Sequence, residues 1–176
     1  GGKTYIRVVD YKTGSKKFDL REVYYGLDCQ MLLYLFTLER NGGHLFSKGT
    51  AAGVEYLWAD PAPENIIRPK TDDAEPLQDK NYPLEGLLLD EPSIYHAMDT
   101  RGTGAFVPLS FSAKTGEPTA QSAKARLADR EKFNRIRDHL DGMLTDMAKN
   151  LYSGEIDAAP LVPNAGKSPC LWCEYR

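Results

Sequence analysis

The chain opens on a cluster of apolar positions with the composition of a strand. Tyr5, Ile6, Val8 and Val9 are β-branched or aromatic and predict a strand over positions 4–10. The run leads into Asp10-Tyr11-Lys12-Thr13-Gly14, where the glycine permits a turn. From position 20 to 40 the apolar spacing becomes that of a helix. Asp19 stands at the cap position with Glu22 three residues on, as in a capping box. Val23, Leu27, Met31, Leu32, Tyr34, Leu35 and Leu38 cover a wide arc, so this helix is expected to lie buried between other layers. Asn41-Gly42-Gly43 stops it.

Further on, positions 53–58 predict a second strand, followed by Asp60-Pro61. Positions 62–83 are rich in Pro, Asp, Glu and Lys without periodicity and read as a long loop. Positions 84–90 hold three consecutive leucines, 92–98 a short helix, 105–111 a third strand, and 112–121 a polar loop. The second long helix is expected over 128–153. There Phe133, Ile136, Leu140, Met143 or Leu144, Met147 and Leu151 recur at three- and four-residue steps. Its other face is charged, so it should pack on the outside of a sheet, and Gly154 ends it. The tail, 158–176, is extended and carries Cys170-Leu171-Trp172-Cys173. These elements predict an α/β architecture over 1–176 as one domain: a central mixed sheet of about three to five strands flanked by helices.

Composition narrows the class. With 176 residues the chain can bury a real core, and its apolar fraction of 41% and charged fraction of 27% are ordinary for a globular protein. A net charge of −3 argues against a simple basic DNA binder and does not exclude a nuclease, which also needs acidic metal ligands. No apolar run approaches the roughly 18 residues of a membrane span. No secretory signal is visible at the start. Three cysteines are too few for a disulfide scaffold, and a reducing, cytoplasmic setting is expected. Both ends read as cuts within something longer.

The first candidate chemistry is Asp10 and Lys12. Two residues apart on a strand, they project from one face. A carboxylate offers oxygen to Mg²⁺, and an ammonium beside it offsets charge that builds on a phosphate. Taken alone, the triplet is equally an exposed ion pair at a strand end. Gln30 and Tyr34, four residues apart on the first helix, share one face and are polar tips in apolar surroundings. A buried glutamine needs hydrogen-bond partners. Either it bonds within the helix layer, or both groups face the strand end that carries Asp10 and Lys12.

The order of strand with Asp-x-Lys, then helix with Gln-x-x-x-Tyr, resembles the RecB-like branch of the PD-(D/E)xK nuclease superfamily. Segments 5–14 and 22–34 are similar to the C-terminal nuclease domain of AddB-type helicase–nuclease subunits. The likeness continues more diffusely through 53–57, 97–99, the last helix and 154–157. It implies a restriction-endonuclease-like core and hydrolysis of DNA phosphodiester bonds with Mg²⁺ or Mn²⁺. It further implies exonuclease action on the 5′-ended strand, a place in double-strand break repair and recombination, and an AddA-like helicase–nuclease subunit as partner. Carried over by residue, Asp10 is a metal ligand, the Tyr11 carbonyl completes part of the metal shell, and Lys12 is the catalytic lysine. Gln30 and Tyr34 border the active site and position the strand end or DNA.

Cys170-x-x-Cys173 has the spacing of ligands to one metal or iron–sulfur site, and also that of a redox pair. The resemblance implies two of the four cysteines of a [4Fe–4S] cluster, so an intact cluster is not expected within 1–176. It also implies a second carboxylate on the strand before the Asp-x-Lys strand, and a histidine or glutamate further upstream. Without these the isolated chain is expected to be inactive. Cys29 reads as core, and His44, His96 and His139 as structural or solvent-exposed. Two other readings compete. One is a nuclease-like module that only binds DNA or docks a subunit. The other is a small metal or redox protein built on Cys170 and Cys173.

Overall fold

A computed structural model describes residues 3–14, 16–45, 48–59, 84–157, 161, 170 and 173–174. Four strands form one mixed sheet: β1 (Thr4–Lys12), β2 (Gly49–Trp58), β3 (Leu84–Leu89) and the short β4 (Leu127–Ala128), side by side in that order. β1 and β2 are parallel, β2 and β3 antiparallel, and β3 and β4 parallel. A parallel pair needs a crossover, which the first helical layer supplies. The expected α/β class therefore holds. Among the described residues β1 is an edge strand, and it continues two residues past the expected end to include Tyr11 and Lys12.

The helix expected over 20–40 is two helices, α1 (Leu20–Tyr24) and α2 (Gln30–Asn41). Asp19 caps α1 by accepting from Arg21 N–H at 2.8 Å, and Glu22 pairs with Lys16 at 3.7 Å. The break falls at Gly26 and Asp28, whose φ angles of +80° and +52° are left-handed. The left-handed turn needs glycine, while a Cβ on Gly26 would lie 2.7 Å from Met143 Sδ, at the end of a flexible side chain that can shift. Periodicity misses this break because Val23 before it and Met31 after it are both buried. A 3-10 turn at Gly42–His44 ends the layer, as the two glycines predict.

Four other boundaries differ from expectation. β2 begins at Gly49, four residues before the predicted start at 53. Positions 105–111 are not a strand. Pro108 lacks the N–H that a ladder needs, and the segment is irregular while still burying Val107 and Leu109. The loop expected over 112–121 gives way at its end to α4 (Ala120–Arg126), capped by the Thr119 hydroxyl, which accepts from Ser122 N–H. The last helix, α5 (Arg130–Ser153), starts two residues late because Leu127 and Ala128 are spent on β4. Asp129 caps it, and Gly154, at φ +77°, closes it. The short helix α3 (Pro92–Met98) matches expectation. The loop expected over 62–83, and most of the tail over 158–176, lie outside the described residues.

The core has two parts. On one face of the sheet Ile6, Val54, Leu87 and Leu89 pack with Leu32, Leu35 and Phe36 of α2 and Phe133 and Leu140 of α5. On the other face Leu88, Tyr95, Val107, Leu109 and Leu127 form a smaller cluster. Among the described residues no helix is long and apolar enough to cross a membrane.

Candidate active site

Alternation along β1 places Ile6, Val8, Asp10 and Lys12 on the face that carries α2. The apolar members enter the core, and the polar pair emerges at the C-terminal end of the strand. The parallel register sets Asp10 beside Tyr56 and Lys12 beside Trp58. Lys12 Nζ meets Asp10 Oδ2 at 2.5 Å, and each side chain keeps about a third of its surface exposed (35% and 33%). The pair is thus open to a ligand.

Beneath it lies Tyr56, 2% exposed. Lys12 Nζ sits 5.5 Å from the centre of the Tyr56 ring. The phenol donates to Asp28 Oδ1 at 2.7 Å. Burial, then the Asp28 hydrogen bond and the charges of Asp28, Asp10 and Glu22, push the phenol's pKa up, so it remains a proton donor. Asp28 Oδ2 meets Lys16 Nζ at 3.1 Å, and Lys16 Nζ lies 6.0 Å from the same ring centre. Trp58 Nε1–H donates to the Lys16 carbonyl at 3.2 Å and ties that segment to β2.

The backbone adds an acceptor. Ala59 N–H donates to the Lys12 carbonyl at 2.8 Å, so the Lys12 carbonyl points toward β2. Strand alternation then turns the Tyr11 carbonyl to the outer edge of β1, beside Asp10. The Tyr11 side chain is exposed.

Gln30 is the first residue of α2 and is exposed, not buried in mid-helix as expected. The break over 25–29 brings it to the helix's first turn and into water. Its amide donates to Tyr34 Oη at 2.9 Å, so these two are brought together. Among the described residues no hydrogen bond or ion pair joins Gln30 or Tyr34 to Asp10 or Lys12, so the helix pair and the strand pair are not brought together. Sequence reasoning missed Tyr56, Asp28 and Lys16. The one local signal was a charged residue in a tight turn, Gly26-Leu27-Asp28, inside an apparent helix.

The remaining candidates stand apart. Cys29 is buried with Sγ near the carbonyls of Leu27 and Val23, and burial pushes its thiol up. Cys173 N–H donates to the Cys170 carbonyl at 3.1 Å, and Cys173 is exposed. His139 stacks on Tyr24 with ring centres 5.0 Å apart, and His44 bonds the Asn41 carbonyl. Among the described residues no three His, Cys, Asp or Glu side chains converge as a metal cage.

Comparison with known proteins fits this geometry. The profile of the PD-(D/E)XK nuclease superfamily matches residues 1–176. Among similar proteins are ATP-dependent helicase/deoxyribonuclease subunits B. That of Clostridium kluyveri is 32% identical over 98% of this chain, that of Clostridium perfringens (strain SM101) 33% over 99%, and that of Clostridium botulinum (strain Loch Maree) 30% over 99%. The chain spans 15% of the length of each. With a profile match from end to end and the mixed sheet flanked by helices, the chain belongs to the PD-(D/E)XK nuclease superfamily.

Proposed function

We propose that this chain is the nuclease domain of a DNA helicase–nuclease subunit and hydrolyses DNA phosphodiester bonds with a divalent cation held at Asp10. The observation that carries the reading is the Asp10–Lys12 pair, half-open to solvent at the end of an edge strand. The donor set suits a hard cation: the Asp10 carboxylate and the Tyr11 carbonyl offer oxygen, as Mg²⁺ or Mn²⁺ prefer. When bound, the cation supplies charge neutralisation at the phosphate and a water of lowered pKa. Asp10 anchors one side of that site. Lys12 offsets negative charge developing on the phosphate oxygens. Gln30 and Tyr34, exposed and bonded to each other, border the approach and orient DNA.

One carboxylate with one carbonyl makes a weak site. β1, an edge strand among the described residues, is suited to pair with a strand that brings a second carboxylate, and residues 1–176 by themselves are expected to be nearly inactive. The relatives are ATP-dependent helicase/deoxyribonuclease subunits, which supports deoxyribonuclease work alongside an ATP-driven helicase. On that basis the chain acts as an exonuclease with an AddA-like partner, in repair and recombination, in the cytoplasm. Cys170 and Cys173 are two ligands of a [4Fe–4S] cluster.

Metal removal tests the site. In the full-length protein, chelation should stop cleavage of linear DNA, and Mg²⁺ or Mn²⁺ should restore it. Asp10→Ala should raise the metal concentration for half-maximal rate or abolish cleavage. A metal dependence unchanged in Asp10→Ala contradicts the assignment.

A further inference from the structure

Lys12 is a flexible side chain on a partly open strand end, and a long ammonium stem has considerable rotamer freedom to lose. Something must hold it where a phosphate will arrive. Asp10 holds it by charge, but Asp10 is itself needed for the cation. The second contact is the Tyr56 ring, on the neighbouring strand in register with Asp10. That ring is buried, and its hydroxyl is fixed by Asp28. Asp28 is in turn fixed from two sides. Its backbone is in the left-handed region, and its other oxygen, buried without a hydrogen bond, is held by charge 3.1 Å from Lys16 Nζ. An acidic residue tolerates that backbone better than most, though not as freely as glycine. A charged residue kept at such a turn, its side chain 10% exposed, is there for what its carboxylate holds.

We infer that Tyr56 and Asp28 are positioning residues for Lys12: the Asp28 carboxylate orients the Tyr56 ring, and the ring holds the Lys12 ammonium over the end of β1. The inference rests on the proposed role of Lys12 in DNA cleavage.

The test uses the full-length protein. Tyr56→Phe keeps the ring and the packing but loses the hydroxyl that Asp28 grips. It should lower kcat on linear DNA by tens of fold, toward the roughly hundredfold that a 1 Å misplacement costs, with KM for DNA little changed. Added to Lys12→Ala, it should cost nothing further. Asp28→Ala should reproduce the loss, and Asp28→Asn, which tolerates the left-handed turn and keeps an oxygen for the phenol, should recover most of it. Wild-type kcat in Tyr56→Phe, or a loss that adds in full to that of Lys12→Ala, overturns the inference. A second readout needs no cleavage. Reductive methylation mapped by mass spectrometry should label Lys12 faster in Tyr56→Phe than in the wild type, with Lys149 unchanged. Equal labelling of Lys12 overturns the placement. If labelling responds while Lys12→Ala cleaves normally, the placement stands and the role of Lys12 in cleavage fails.

Discussion

At Glu55 the cost of burying charge is most visible. It stands on β2, on the sheet face opposite the Asp10–Lys12 pair, 1% exposed. Arg7 Nη1 donates to Glu55 Oε2 at 2.9 Å and to the Phe106 carbonyl at 2.9 Å, while Glu55 Oε1 has no hydrogen-bond partner among the described residues. Desolvation pushes its pKa up to about 7 against the pull of Arg7. A raised carboxyl pKa means that the folded state holds the proton more tightly than the unfolded one. Its contribution is therefore full below about 4.5 and is lost as pH rises through 7. Glu55→Gln removes that slope. Thermal melts should show the variant gaining on the wild type from pH 4.5 to 7, by about 3 kcal/mol at most, and levelling above. A difference that stays flat over this range contradicts it. Residues legible in the sequence were those with a local pattern: Asp10 and Lys12 two apart on a strand, Gln30 and Tyr34 four apart on a helix. Tyr56 was not legible, because its place under Lys12 depends on strand register, and Asp28 was not, because its role depends on a left-handed turn.

At the scale of elements the same division recurs. Composition located β1, the second half of β2, α3 and the body of α5, from β-branched and aromatic runs in the strands and from three- and four-residue apolar spacing in α5. It failed where two structures share one apolar pattern. The α1–α2 break is such a case, and Gly26 decides it. Gly26→Ala combines a left-handed backbone with a Cβ close to Met143, so it should destabilise the fold by ~2 kcal/mol in denaturant titration. Full stability in this variant would show that α1 and α2 can join. Composition also failed at 105–111, where burial without pairing imitates a strand, and at β4, which is two residues long. Arg7 joins this irregular segment to the sheet through the Phe106 carbonyl and Glu55. Arg7→Ala removes the cation that draws the Glu55 pKa down, so the carboxyl should titrate still higher and the variant should lose stability most above pH 7, read as a lowered Tm there. Glu55→Gln in the same chain should recover part of that loss, because no charge is then left behind.

At the scale of the molecule the chain is a sheet whose polar chemistry gathers at one strand end, while its relatives are several times longer. Family and architecture were legible because the Asp-x-Lys and Gln-x-x-x-Tyr motifs are local and ordered. A full metal shell was not, because among the described residues no three His, Cys, Asp or Glu side chains converge. In the full-length protein Cys170→Ser should abolish the visible absorbance of a [4Fe–4S] cluster, and an unchanged spectrum removes Cys170 from the ligand set. The central claim rests on Lys12, and the rate of cleavage of linear DNA by full-length Lys12→Ala with Mg²⁺ present tests it most directly. The account predicts a loss of about a hundredfold or more with DNA binding retained. Cleavage at the wild-type rate would contradict it.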